Sequence, residues 1–360
     1  MSQIRNWAAN GLVGGLACVA FLHIAKAEAG TERVVYSFCR QENCTDGREP
    51  LAGLVNVHDT LYGTTVYGSK NGLGAGTVFS VNPQTGAERV VHVFRYLYKG
   101  VEPYAGLINV HGKLYGTTEN GGGGGGTVFS VNPRTGAENV VASFEGEAIS
   151  YPYAGLIDVD GVLYGTTQQG GTDGWCANND DGCGTVFSVD PKTGMAQVVH
   201  AFQNNNTDGQ APAAGLVDVD GTLYGTTVLE GAGAYNEGDA GTVFSVNPKT
   251  GAEALVYSFC SQPYCADGAN PLAGLINVHG ILYGTTVNGG NRCSNGTCGT
   301  VFSFDPKTGT EKAVYSFCSQ QNCADGRNPV ASLVDVGGVL YGTTRGDFPN
   351  GIGNVFAVTP

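Results

Sequence analysis

The chain has 360 residues, of which 58 are glycine, 41% are hydrophobic and only 14% are charged. This composition is typical of many short strands joined by tight turns, and the hydrophobic fraction excludes wholesale disorder. The formal net charge of −13 argues against nucleic acid as a partner, because phosphate binding needs clustered Lys and Arg.

Residues 1–29 are predicted to be a signal peptide. Arg5 provides a positive start, an apolar stretch runs from Gly11 to Ala25, and the small residues Ala27 and Ala29 suit a cleavage site. The alternative is an uncleaved N-terminal anchor, although the stretch is short for a membrane span. No later run is apolar enough to cross a membrane. We therefore expect a secreted or extracellular chain, with the periplasm as the other compartment.

Cysteine usage supports export. Cys18 lies in the predicted signal, and the other ten cysteines form five close pairs, which is typical of disulfides in an oxidising compartment. Zinc is the alternative, but structural zinc pairs usually have the spacing C-x2-C, which none of these pairs has. The predicted disulfides join Cys39 to Cys44, Cys176 to Cys183, Cys260 to Cys265, Cys293 to Cys298, and Cys318 to Cys323.

One pattern recurs six times, at intervals of roughly 50–60 residues, which is typical of a β-propeller. Its first motif is Leu-Tyr-Gly-Thr-Thr, which begins at Leu61, Leu114, Leu163, Leu223, Leu282 and Leu340. Its second motif is Gly-Thr-Val-Phe, which begins at Gly76, Gly126, Gly184, Gly241 and Gly299 and becomes Gly-Asn-Val-Phe at Gly353.

Each repeat predicts four strands, which in the first repeat are Ala52–Val57, Thr60–Val66, Thr77–Asn82 and Glu88–Phe94. His58-Asp59 predicts a tight hairpin between the first two strands, and the sequence around Pro83 predicts a turn after the third. No long segment has helical periodicity.

The chain ends predict how the ring closes. Residues 31–38 match a fourth strand, whereas the last repeat stops after its third, so the N-terminal strand is expected beside Asn354–Val358. The predicted fold is therefore all-β: a six-bladed propeller of four-stranded antiparallel blades in one domain, 30–360. A parallel β-helix, the alternative, would not need the exchanged strand. The predicted blades are 51–94, 104–144, 153–202, 213–259, 272–317, and 330–360 with 31–38.

The two motifs, joined by a glycine-rich loop, resemble the GloVer tandem repeat of bacterial exported proteins. The match covers essentially the whole chain after the predicted signal. The resemblance implies an extracellular or surface location and a propeller-like architecture, and it implies no established reaction. Members often carry a C-terminal anchoring segment. This chain ends at Pro360 without one, which favours release over surface attachment.

The long, variable connections follow the second and fourth strands, so both are expected on one face of the propeller, where binding usually occurs. The connections in blades 3 and 4 are the richest in acidic and aromatic residues. Such residues suit sugar binding; the alternative is a solvated acidic loop in which an indole covers a disulfide. The predicted ligand-binding residues are Trp175, Asp180, Asp181, Tyr235, Glu237 and Asp239, with Asp173 and Glu230 nearby. Tyr96, Tyr98, Tyr104, Tyr151 and Tyr153 flank the entries to blades 2 and 3.

Other polar motifs favour structural roles. Asp-Gly turns begin at Asp46, Asp208, Asp267 and Asp325. A ring of these carboxylates would suit a cation, but turn chemistry alone explains them. The repeated Thr pair suits hydrogen bonds within or between blades. No two histidines have metal-ligand spacing, and we expect no catalytic residue, metal or cofactor.

The sequence thus predicts a monomeric, secreted, non-catalytic binding or scaffold module. Its expected partner is an extracellular glycan or a surface protein. The alternative function is a glycan-active hydrolase or lyase that uses loop carboxylates of blades 3 and 4.

Overall fold

Short segments rich in Val, Phe, Tyr and Thr form the strands of this computed structural model, as the repeat predicts. The structure describes residues 33–68, 75–95, 99–146, 148–171, 176, 182–205, 208–231, 240–291, 298–345 and 353–360. Within these ranges the secondary structure is almost wholly β. The helical elements there are three single 3-10 turns, at Glu42–Cys44, Pro263–Cys265 and Gln321–Cys323.

The strands are grouped by blade. Those of blades 1 to 3 are β1 Val55–Val57, β2 Thr60–Thr65, β3 Thr77–Val81, β4 Glu88–Val93, β5 Ile108–Val110, β6 Lys113–Thr118, β7 Thr127–Val131, β8 Glu138–Ser143, β9 Ile157–Val159, β10 Val162–Thr167, β11 Thr185–Val189 and β12 Ala196–Ala201. Those of blades 4 to 6 are β13 Val217–Val219, β14 Thr222–Thr227, β15 Thr242–Val246, β16 Glu253–Ser258, β17 Ile276–Val278, β18 Ile281–Thr286, β19 Thr300–Asp305, β20 Thr310–Ser316, β21 Val334–Val336, β22 Val339–Thr343 and β23 Val355–Val358.

The six sheets form a six-bladed β-propeller, which confirms the predicted fold class. In blades 1 to 5, four strands pair in chain order and every ladder is antiparallel. The predicted strands of the first repeat all exist, but β1 is three residues shorter at its start than the predicted Ala52–Val57. Each of the first five blades also has a register shift between its third and fourth strands, at Val78 and Phe79 in blade 1.

The two inner strands of each blade are joined by a tight hairpin. In blade 1, His58 and Asp59 both have positive φ, 49° and 59°, which matches a type I′ turn and the right-handed twist of the strands. After β3, the side chain of Asn82 accepts hydrogen bonds from the backbone N–H groups of Gln84 and Thr85, both at 2.9 Å. Both predicted turns are confirmed.

The glycine of Leu-Tyr-Gly-Thr-Thr makes room for an aromatic ring. A Cβ on Gly63 would lie 2.7 Å from Cζ of Phe79, so any larger residue would displace that ring. The third-strand Phe of each blade in turn meets a Phe from the end of the preceding fourth strand. In these edge-on pairs the ring centroids lie 4.7–5.2 Å apart, from Phe38–Phe79 through Phe317–Phe356. Each junction between blades therefore has an aromatic centre.

The repeated Thr pair has two structural tasks, as predicted. The hydroxyl of Thr64 donates to the carbonyl oxygen of Ala105 in the next blade, at 2.9 Å. The hydroxyl of Thr65 lies 2.8 Å from that of Thr77 within the same blade. Both bonds are buried, where a lost partner is costly. In blades 1 to 3 the first Thr therefore links neighbouring blades, since Thr117 and Thr166 make the same bond, whereas the hydroxyls of Thr226 and Thr285 have no hydrogen-bond partner among the described residues. The second Thr fixes the second strand of its blade to the third.

The sixth blade differs from the others. Its sheet has three strands in the described part of the chain, and no ladder there joins residues 35–38 to β23. The predicted pairing of 31–38 with Asn354–Val358 is thus not seen. Phe38 nevertheless packs on Phe79 as a fourth-strand Phe does, and the Tyr36 hydroxyl donates to Asp46 at 2.8 Å.

The junction of blade 6 with blade 1 is correspondingly open. Leu54 of blade 1 is 53% exposed, whereas Leu107 at the same place in blade 2 is 6% exposed. A groove of about 730 Å³ runs along β23 and is lined in part by Tyr315, Asp325 and Val355. This groove lies where a fourth strand would pair.

The compact body spans Val35–Pro360. A separate unit spans Met1–Val34, of which only Arg33 and Val34 are described. The predicted signal peptide, 1–29, therefore lies outside the described residues.

Candidate functional site

The two long connections of each blade meet on one face, which we call the loop face. An isolated antiparallel bridge joins the segment before the first strand to the segment after the second strand in every blade. The bridges are Arg48–Tyr67, Val101–Asn120, Ser150–Gln169, Gln210–Leu229, Ala269–Asn288 and Pro329–Thr344. The variable connections are predicted to lie on one face. The bridges confirm this for the residues at which those connections begin or end.

The six ligand-binding residues predicted from the sequence lie in parts of the connections that the structure does not describe. Trp175, Asp180, Asp181, Tyr235, Glu237 and Asp239 all lie outside the described residues, as do Asp173, Tyr96 and Tyr98. Glu230, at the start of the blade 4 connection, is described and is buried. Its carbonyl oxygen accepts a 2.8 Å hydrogen bond from the Gly241 N–H, which fixes the base of that loop.

The cysteines of the loop face are disulfide-bonded, which resolves the choice between disulfides and zinc. Bonds join Cys39 to Cys44, Cys176 to Cys183, Cys260 to Cys265, and Cys318 to Cys323. Cys298 is also disulfide-bonded, and its predicted partner Cys293 lies outside the described residues. Each bond closes a short loop, so it stiffens that loop more than it stabilises the whole chain.

A cluster of tyrosines and acids lies on the loop face of blades 1 to 3. We define this tyrosine–glutamate cluster as Tyr67, Tyr104, Tyr153, Glu102 and Glu119. The rings of Tyr104 and Tyr153 lie 4.9 Å apart at a 40° tilt. The Tyr153 hydroxyl donates to Glu119 at 2.7 Å, and the Tyr67 and Tyr104 hydroxyls lie 3.5 Å apart. All five side chains are half-buried, so each keeps some exposed surface.

Two further residues border this cluster. Asn120 donates a 2.8 Å hydrogen bond to the carboxylate of Glu102. The exposed guanidinium of Arg48 lies over the ring of Tyr67, 5.2 Å from its centroid. The cluster therefore presents aromatic faces, two carboxylates, an amide and a cation together.

Burial and neighbouring groups shift the pKa values of this cluster. Desolvation raises the pKa of the Glu119 carboxyl, the hydrogen bond from Tyr153 opposes that rise, and the charge of Glu102 adds to it. The hydrogen bond with Tyr67 raises the pKa of Tyr104, and burial raises that of Tyr153. Both phenols are therefore neutral hydrogen-bond donors at physiological pH.

The cluster is specific to part of the ring. Tyr104 and Tyr153 occupy the position that Leu51, Ala213, Leu272 and Val330 hold in the other repeats. Sequence reasoning singled out Tyr104 and Tyr153 but missed Tyr67, Glu102 and Glu119. The sequence did contain a signal for these residues, because blades 1 to 3 differ from the other repeats at these positions.

The Asp-Gly turns have a local role. Asp267 accepts hydrogen bonds from the Tyr257 hydroxyl at 2.7 Å and from the Ser261 N–H at 2.9 Å, and Asp325 repeats this pattern with Tyr315 and Ser319. Each Asp thus ties a fourth strand to the loop that follows it. These contacts favour turn chemistry over a shared cation ring.

The described residues do contain one mixed group of metal-ligating side chains, His200, Asp208 and Glu253.

The chain belongs to the Gloeobacter/Verrucomicrobia repeat family, which it matches over residues 22–177 and 175–356. This agrees with the resemblance to the GloVer repeat. No curated protein matches the sequence. Among the described residues, no helix has the length and apolarity that a membrane span requires.

Several solved structures are similar to this chain at low sequence identity. The extracellular domain of a putative hybrid two-component system from B. thetaiotaomicron is 12% identical, with a TM-score of 0.51, over 86% of this chain and 31% of that one. An oligogalacturonate lyase in complex with manganese is 13% identical, with a TM-score of 0.48, over 84% of this chain and 74% of that one. TolB from Acinetobacter baumannii is 12% identical, with a TM-score of 0.41, over 78% and 57%.

Proposed function

We propose that this protein is an exported, non-catalytic propeller that binds extracellular carbohydrate through the tyrosine–glutamate cluster on its loop face. The observation that carries the proposal is the pairing of Tyr104 with Tyr153, 4.9 Å apart, beside the Glu119 carboxylate. Apolar C–H faces of a sugar pack on aromatic rings, while carboxylates accept hydrogen bonds from its hydroxyls.

The supporting scaffold suits recognition of a ligand by preformed groups. Tyr153 and Asn120 hold the carboxylates of Glu119 and Glu102 in place, and the bridges at the base of each loop fix their backbone. Because these groups are already ordered, binding costs little side-chain entropy. The disulfides of the loop face support export, since such bonds persist in oxidising compartments.

The contacts of the cluster suffice for binding, whereas glycoside hydrolysis makes further demands on the two carboxyl groups. A retaining or inverting glycosidase needs one carboxyl group to protonate the leaving oxygen and a second to act as nucleophile or base. Here each carboxylate of the cluster already accepts a hydrogen bond from a neighbouring side chain. Trp175 and Tyr235 remain ligand-binding residues predicted from the sequence, and they lie outside the described residues.

A glycan array on the purified chain, with a parallel hydrolysis assay, tests this proposal. We expect binding without product release, and at least a tenfold loss of affinity for Tyr104→Ala and for Tyr153→Ala, since each variant removes one aromatic ring on which a sugar would pack. Leu272→Ala is the matched control, because Leu272 holds the equivalent place in blade 5 and should leave affinity unchanged.

Two outcomes would contradict the proposal. Release of sugar products would show a glycan-active enzyme instead. Failure to bind any glycan, or binding that survives both tyrosine substitutions, would exclude this cluster as a carbohydrate site and favour a surface protein as the partner.

A further inference from the structure

Three side chains that ligate metals meet at the junction of blades 3 and 4. His200 lies on β12, Asp208 lies in the connection that follows β12, and Glu253 lies on β16 of the next blade. One donor atom from each lies within 4.8 Å of the other two. Asp208 is 7% exposed, and His200 and Glu253 are half-buried.

The same place in the neighbouring repeats shows what is unusual here. At the next junction the equivalent residues are Tyr257, Asp267 and Glu311, and the Tyr hydroxyl donates one short bond, 2.7 Å, to Asp267. The repeat also has Tyr at positions 36 and 315, His at position 92 and Ala at position 142. His92 faces Glu138, but the connection after it has no Asp, so the blade 3–4 junction differs in having His, Asp and Glu together. Only the tyrosine is exchanged at the blade 3–4 junction, where an imidazole nitrogen replaces a hydroxyl group.

The geometry around His200 suits a shared cation. Its Nε2 atom lies almost equally far from the two carboxylate oxygens of Asp208, at 3.2 and 3.3 Å. Zinc bonds of about 2.0–2.1 Å with tetrahedral angles place neighbouring ligand atoms roughly 3.3 Å apart. The Gln203 N–H donates to Asp208 at 2.9 Å and so orients that carboxylate from outside the group.

The two neighbouring carboxylates at this junction would also be stabilised by a cation. Oε1 of Glu253 is buried and has no hydrogen-bond partner, as is also true of the equivalent acids Glu88, Glu138 and Glu311. In the part of the chain that the structure describes, Glu253 alone of these acids lies beside both a His and an Asp. Among the described residues, no Lys or Arg forms an ion pair with Asp208 or Glu253. The charged partner of Asp208 there is the imidazole of His200, when that ring is protonated. The carboxylate of Asp208 is buried and that of Glu253 is half-buried, so two charges there are costly without compensation, and one divalent cation would balance both.

We infer that His200, Asp208 and Glu253 bind a divalent transition-metal ion, with zinc as the best fit, and that this ion links blade 3 to blade 4. One imidazole nitrogen with two carboxylates is a donor set that zinc accepts, whereas calcium prefers six or more oxygen ligands. Three protein ligands leave the fourth position of a tetrahedral ion for water. The site is separate from the tyrosine–glutamate cluster and does not depend on carbohydrate binding.

Titration of the metal-free full chain with zinc chloride in a calorimeter tests the inference, with calcium chloride in parallel. We expect one zinc ion per chain and a thermal unfolding midpoint that rises with zinc. His200→Tyr should lower zinc affinity at least tenfold while it keeps the fold, because Tyr is the residue of the repeat at this position. Glu253→Gln should have a similar effect on affinity.

Glu311→Gln is the matched control, because it changes the equivalent acid of the next junction and should leave zinc affinity unchanged. Three results would overturn the inference. They are no zinc binding at 100-fold excess over the chain, zinc affinity that both His200→Tyr and Glu253→Gln leave intact, and equal affinity for calcium and zinc.

Discussion

Stability should depend on pH through Glu311, which is largely buried between blades 4 and 5. Burial and the charge of Asp267 raise the pKa of its carboxyl to about 7, although the nearby Tyr257 hydroxyl partly favours the ionised form. Because an unfolded Glu titrates near 4.3, the folded state binds this proton more tightly. The resulting stability is fully present below about pH 4.3 and is lost as the pH rises through 7.

The magnitude follows from the shift. A difference of roughly 2.7 pKa units corresponds to about 3.7 kcal/mol, and partial solvent access reduces the expected effect to about 2 kcal/mol. Glu311→Gln mimics the neutral acid and removes this titration. The free energy of unfolding of Glu311→Gln, relative to the native chain, should therefore rise by about 1–1.5 kcal/mol between pH 5 and pH 8, because part of the effect is already lost below pH 5.

Urea unfolding at both pH values, followed by fluorescence, measures this difference. Other buried acids, such as Glu88 and Glu138, have raised pKa values too, but they contribute equally to both chains and cancel. Exposed Glu145 provides the control, since Glu145→Gln should show no such change with pH. A Glu311→Gln effect that is the same at pH 5 and pH 8 would refute the reasoning.

Three further predictions concern the scaffold. Phe129→Ala should lower the free energy of unfolding by about 3–5 kcal/mol, as measured by thermal unfolding, because its buried ring packs on Phe94. Phe129→Leu should lower that free energy clearly less. Thr118→Val should cost roughly 1–3 kcal/mol, because the Thr127 hydroxyl loses its 2.8 Å partner, and Thr118→Val with Thr127→Val should cost less than the sum of the two. Because no ladder within the described residues joins 35–38 to β23, removal of residues 30–38 should leave hydrogen exchange of the β23 amides unchanged relative to β19. At least tenfold faster exchange of the β23 amides would show instead that this segment covers the free edge.

Much of the fold follows from local sequence. Strand positions follow from β-branched and aromatic residues between turn signals, and the His58-Asp59 hairpin was readable because short turns have strict backbone requirements. The number of blades followed from the repeat count, since a repeated unit packs on its own copy in the same way each time. The disulfide pairs followed from spacing, because five or seven residues allow only short loops.

The sequence was a weaker guide to the pairing of the N-terminal segment, residues 31–38, with β23. Its match to a fourth strand is a property of sequence, and Phe38 does occupy a fourth-strand position against Phe79. Whether it also pairs with β23 depends on contacts between the two ends of the chain. Such contacts carry no local signal, because the partners lie more than 300 residues apart.

The sequence by itself determined the repeat, the strands, the turns and the face on which the variable connections lie. Tertiary structure alone decided which side chains of different blades meet. Tyr153 reaches Glu119 from the next blade, and Glu253 reaches Asp208 in the same way. Both contacts join residues 34 or more positions apart, across a junction whose geometry depends on sheet twist and packing. For that reason neither the tyrosine–glutamate cluster nor the group around His200 was visible as a motif.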